Sequence, residues 1–190
     1  MTWGSFVSSL IVAVVVAWLT HYLILNREAK KETRDLNYLA LRLAFVLEKF
    51  AVDCAGMISD AVLHDDSRGS AGKVHVRLPE LGEYPVEADY AMLDQNLLAQ
   101  ALAFRLEIDT GNNGVSFLGE VAHDDDQDGE CRNQCARLGL KALNLSQAFT
   151  ERYELAPFNL NVNLWDFKRV LNDQFERYRK SQLPSSNDTL

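Results

Sequence analysis

The residues FVSSLIVAVVVAWLTHYLIL, Phe6–Leu25, run for twenty positions without one Asp, Glu, Lys or Arg. A helix over that run is about 30 Å long, the thickness of a bilayer's hydrocarbon layer. Ser8, Ser9 and Thr20 can return their hydroxyls to the helix's own carbonyls. Trp3, Trp18 and Tyr22 stand towards the two ends, where amphipathic rings favour the interface. A cleaved signal peptide needs a positive start, a shorter apolar core and a small-residue cleavage site. Met1–Ser5 holds no Lys or Arg and no Ala-x-Ala follows the run, so the sequence predicts an uncleaved transmembrane anchor over residues 1–26.

Flanking charge sets the expected direction. Arg27, Lys30, Lys31 and Arg34 follow the run directly, which by the positive-inside rule leaves the N-terminus outside and places the rest in the cytoplasm. These four residues also suit contact with anionic lipid headgroups. The expectation is a single-pass protein of a bacterial inner membrane, with membrane lipid as one partner.

The remaining length suits one domain of ordinary size. With 47% hydrophobic and 24% charged residues, the chain can bury a core. A net charge of −8 argues against a nucleic-acid partner, which needs a concentrated basic surface. The three cysteines, Cys54, Cys131 and Cys135, form no disulfide framework. Cys54 falls on an apolar helical stripe and reads as a buried thiol. Cys131 and Cys135 are four apart, but no second Cys or His pair completes the four ligands of a structural zinc site.

Past the anchor, apolar spacing predicts an all-α fold, an irregular bundle of four to five amphipathic helices spanning residues 27–182. The helices are expected near 30–63, 88–109, 115–122, 129–154 and 164–181. The first carries a stripe from Leu36 through Leu43, Phe50 and Ile58, with Arg42, Glu48, Lys49 and Asp53 off it. Residues 5–55 hold no Pro or Gly, so this helix can continue from the membrane run. Pro79, Gly82 and Pro85 mark an extended connector. Acidic residues at Glu87–Asp89 suit the start of the second helix, and TGNNG, Thr110–Gly114, reads as its stop. Pro157 and NLNVN separate the last two, and residues 183–190 read as a flexible tail.

HDDDQDGECRNQC, His123–Cys135, is the stretch closest to a metal motif. Asp124, Asp126, Asp128 and Gly129 resemble the first, third, fifth and sixth places of an EF-hand calcium loop. The ninth place is Arg132 and the twelfth, where a bidentate Glu belongs, is Cys135. The other reading is a helix start, with Asp126 or Asp128 as the cap and the acidic side chains favoured by the helix dipole. His64-Asp65-Asp66 ends the first soluble helix much as His123-Asp124-Asp125 ends the short one. If those ends meet, His64, His123, Asp124, Asp126 and Asp128 are the set that would take calcium or another divalent cation.

No phosphate loop, dinucleotide fingerprint, HExxH or GxSxG occurs. Four His residues, one inside the apolar run, leave few general bases, and no catalytic activity or cofactor is expected. The last helix instead mixes Trp165, Phe167, Phe175 and Tyr178 with Arg169 and other basic residues, a pattern for docking a partner protein, a second copy or the membrane surface. The expected role is a membrane-held, non-catalytic interaction domain, with metal sensing through the acidic loops as the alternative.

Overall fold

The computed structural model describes residues 3–86, 90–121, 124–158 and 165–182, with the side chains of 3–15, 17, 124 and 125 outside that description. Helices account for most of it: α1 (Trp3–Asp66), α2 (Gln95–Val121), α3 (Asp124–Arg152) and α4 (Phe167–Gln182), plus a 3-10 turn at Tyr90–Met92. No strand occurs among the described residues. The chain divides into two compact units, Met1–Tyr38 and Leu39–Leu190.

In the larger unit α3 is the central helix. Cys54 meets α3 at Gly139, Glu48 meets Ser146 and Asp65 meets Arg132, so α1 runs antiparallel to α3. Lys141 pairs with Glu107 and the Tyr153 hydroxyl accepts from the Asp94 N–H, so α2 is antiparallel to α3 as well. Gln174 bonds Asn133 and Leu171 abuts Gly139, which sets α4 antiparallel along a third side. The core is filled by Phe50, Phe104, Phe149, Phe167, Leu43, Leu47, Leu138 and Leu171. Alanines 40, 44, 51, 55 and 61 of α1 are all but fully buried, and these small residues let the neighbouring helices come close.

α1 ends where Arg68 takes a positive φ and the Gly69 N–H reaches back to the His64 carbonyl at 2.8 Å. That 6→1 bond satisfies a terminal carbonyl of the helix. The chain then folds back over the helix end at Gly72, at φ +75°. A β-carbon there would lie 2.3 Å from the Asp60 carbonyl oxygen, so only glycine fits. The connector 73–86 is extended and ordered by the bundle. The Leu78 N–H bonds Asn112 Oδ1 at 2.9 Å, and the Tyr84 hydroxyl donates to the Ala101 carbonyl at 2.9 Å. Burial pushes the Tyr84 hydroxyl up to about 12, against the Arg105 guanidinium that lies over its ring.

Three boundaries differ from the sequence expectation. TGNNG does not stop a helix: α2 passes through it without a break, so the helices expected at 88–109 and 115–122 are one, and the described residues hold four, within the expected four to five. Gly111 is used for close approach, since a β-carbon there would lie 2.9 Å from Leu78 Cδ1 and 3.2 Å from Leu138 Cδ1. Thr110 returns its hydroxyl to the Leu106 carbonyl one turn back, which keeps the helix intact, and Asn112 Oδ1 accepts from the distant Leu78 N–H rather than from its own neighbours. Second, α2 starts at Gln95 rather than among Glu87–Asp89, which lie outside the described residues. Asp94 Oδ1 accepts from the Asn96 and Leu97 N–H groups, and the Leu97 bond leads in holding that carboxyl below its ordinary value. Third, α3 begins at Asp124, so Asp126 and Asp128 stand inside the helix instead of capping it at Gly129.

Candidate functional site

The acidic stretch is helical, and this changes what its side chains can do. An EF-hand loop curls its odd-numbered ligands around an ion, whereas a helix turns about 200° between residues two apart and throws successive ones to opposite sides. Asp126 is exposed and Asp128 is buried. Arg132, one turn on, bonds Asp128 Oδ2 at 2.8 Å with one guanidinium nitrogen and Asp65 Oδ2 at 2.7 Å with the other. The ends of α1 and α3 therefore do meet, through an arginine between two carboxylates. Asp128 Oδ1 and Arg132 Nε are buried with no partner among the described residues. His64 lies in the last turn of α1, 3.9 Å from the Asp65 carboxylate. His123 and the side chain of Asp124 lie outside the described residues. Among those described, no three His, Cys, Asp or Glu side chains converge to hold a metal ion.

All three cysteines are buried and free. The sequence set Cys54 apart from Cys131 and Cys135, and tertiary packing brings them together. Cys131 and Cys135 act on each other's thiols, and Cys54 acts on Cys135. The hydrogen bond to Cys135, with burial next, pushes the Cys131 thiol far up. For Cys135 the bond from Cys131 acts downward, but the bond to Cys54 and burial outweigh it. Protonated, water-excluded thiols are poor nucleophiles and poor metal ligands.

The aromatic residues of the last segment mostly face inward. Phe167 is fully buried, so it belongs to the core rather than to a docking surface. Trp165 is half-buried and donates its Nε1–H to Ser59 Oγ at 3.4 Å. Phe175 and Tyr178 are half-buried too, and Arg169 alone of the five predicted surface residues is exposed. The apolar stripe open to solvent lies on α2 instead, where Leu102, Leu106, Phe117 and Val121 are each more than half exposed.

The larger unit also holds a cleft of about 530 Å³ between α1, α3 and α4. Its floor is Glu48, only 5% exposed although the sequence places it off the apolar stripe. The signal was present: Glu48 stands four residues after Ala44 and seven before Ala55, on the small-residue ridge that α3 approaches. Ser146 Oγ donates to Glu48 Oε2 at 3.4 Å. Lys168 lines the same cleft, yet no ion pair within 4.0 Å joins it to Glu48. Burial raises the Glu48 carboxyl, with the Lys168 charge and the Ser146 bond acting the other way.

A carboxyl raised by folding holds its proton longer in the folded chain. Its contribution is fully present below the unfolded carboxyl range and is lost as pH rises through the folded value. Glu48→Gln is therefore expected to match the parent in acid and to exceed it by about 1 kcal/mol at neutral pH. Thermal unfolding across pH reads this, and a variant less stable at neutral pH would mean that the carboxylate is well paired.

In the smaller unit, Val16, Trp18, Leu19, Tyr22, Leu23, Ile24 and Leu25 are all about half exposed or more, with Trp18 highest at 66%. Thr20 Oγ1 donates to the Val16 carbonyl at 2.8 Å, and the Trp18 and Tyr22 rings stack 5.9 Å apart. Arg27, Lys30, Lys31 and Arg34 are exposed beyond them. The side chains of residues 6–15 and 17, the greater part of the predicted span Phe6–Leu25, lie outside the described residues. Among those described, no helix is long and apolar enough to cross a membrane. No protein-family model, curated protein or solved structure matches the chain.

Proposed function

We propose that this protein is a single-pass membrane protein whose helical unit serves as a non-catalytic interaction domain on the cytoplasmic face of a bacterial inner membrane. The observation that carries this reading is the uncovered apolar surface at Val16–Leu25, followed at once by four exposed cations. Apolar side chains left open to water on every side of a helix favour a medium that covers them. Leu, Ile and Val each favour the bilayer centre by about 0.3–0.6 kcal/mol, and the basic residues suit headgroups at its edge. The Thr20 hydroxyl is satisfied within the helix, as an apolar medium requires. The exposed α2 stripe supports the interaction role, offering a protein partner or a second copy a row of apolar side chains.

The test is extraction of membranes with alkaline carbonate. The parent chain should stay in the pellet, and Val16→Asp/Leu19→Asp should move to the supernatant, since each Asp near the bilayer centre costs about 3 kcal/mol. A parent chain released by carbonate, or a double variant that stays put, would overturn the anchor. Because the native thiols are buried, sidedness is read from Asn113→Cys, an exposed position on α2. An impermeant maleimide should label it only after lysis.

A further inference from the structure

We propose that the Glu48 cleft is a binding site for a small aliphatic primary amine or polyamine, whose ammonium group pairs with the Glu48 carboxylate. The site stands independently of the anchor. A volume of about 530 Å³ falls inside the range, about 300–1,000 Å³, of small-molecule sites.

The charge of the cleft selects a cation. Among the described residues, Glu48, Glu151 and Glu154 line it against the ammonium of Lys168. Glu48 is more than nine-tenths buried, yet among the described residues its one hydrogen bond is the long contact from Ser146, and it takes no ion pair. Oε1 accepts no hydrogen bond among the described residues, and it is not among the atoms sealed from solvent without a partner. It is therefore open to the cleft. A carboxylate held in that state favours a cation that brings its own N–H donors.

The shape of the cleft selects the kind of cation. A bare divalent ion wants several oxygens converging on one point, and no such group occurs among the described residues. An ammonium needs one carboxylate at its head and apolar surface along its methylenes. Leu143, Leu155 and Phe158 supply that surface. Phe158 is pinned by an edge-to-face contact with Phe45 of α1, 5.9 Å between ring centres, which fixes one wall before any ligand arrives. Glu151 lies in the last turn of α3 and Glu154 just past the helix end, both farther along than Ser146, where a second amine of a diamine or polyamine can reach. Lys168 competes for Glu48: its charge acts on that carboxylate without closing a salt bridge.

The experiment is calorimetric titration of the full chain in detergent micelles with cadaverine and spermidine, with glutarate and magnesium as further titrants. Both amines should bind at physiological ionic strength while glutarate and magnesium release no heat. Glu48→Gln should weaken amine binding at least about tenfold, as loss of a charge-assisted hydrogen bond does. Lys168→Met, which leaves the fold's buried side chains in place, should tighten it. Amine binding unchanged in Glu48→Gln, magnesium binding as well as spermidine, or weaker binding in Lys168→Met would overturn the proposal. So would the absence of amine heat at millimolar concentration in both the parent and Lys168→Met.

Discussion

Replacing Arg132 by methionine is expected to destabilise the folded chain by about 3 kcal/mol. Among the described residues Arg132 alone pairs with Asp128, whose side chain is 8% exposed. Without it the carboxylate stays buried and unpaired, the situation in which breaking an ion pair costs about 3–5 kcal/mol. The lower figure applies because the other contact, to the half-exposed Asp65, is worth little in water. The pair itself is imperfect, with Asp128 Oδ1 and Arg132 Nε unpartnered. Removing both charges in Arg132→Met/Asp128→Leu should therefore recover most of the loss. Urea unfolding of the full chain in micelles, followed by circular dichroism, measures the cycle. A single variant within about 0.5 kcal/mol of the parent would place this pair with ordinary surface bridges. The same samples test the metal reading: calcium should leave the parent's midpoint unmoved, and a calcium-dependent rise would put an ion at the start of α3.

Phe104→Ala should cost more, about 4 kcal/mol. Phe104 is fully buried on α2, and its ring stands at 90° to that of Phe50 on α1, 5.4 Å between centres. The substitution removes the transfer energy of the ring and the edge-to-face contact, and it leaves a cavity framed by helices that cannot close independently. Phe104→Leu should restore more than half of the loss, because most of the volume returns. Equal losses for the two variants would show that ring geometry rather than volume holds α1 to α2. The readout is again the urea midpoint, with the slope unchanged if the transition remains two-state.

Several features follow from local chemistry and are legible along the chain. Helical spacing of apolar residues marks α1 from Leu39 to Ile58, and the same pattern gives an all-α fold. Pro79, Gly82 and Pro85 mark the connector, because proline lacks the N–H and the φ range a helix or sheet interior needs. The apolar run and its basic flank are read from composition alone. Other features depend on which helices meet. Gly111 reads as a breaker by propensity, and only the proximity of Leu78 and Leu138 shows it as a packing site. Glu48 reads as a solvated charge until α3 and α4 close over it. The spacing of Asp124, Asp126 and Asp128 resembles a calcium loop, but the stretch is helical and Asp128 is taken up by Arg132, which reaches Asp65 as well because α1 and α3 lie antiparallel. Cys54 joins Cys131 and Cys135 for the same reason, across a gap of more than seventy residues. The sequence by itself determined the secondary structure class and the polarity of each segment, since both rest on side chains within a few positions of one another. The tertiary structure decided where helices end, which charges are buried and which thiols touch. Those outcomes turn on desolvation and close contact, and both come from residues far away in the chain.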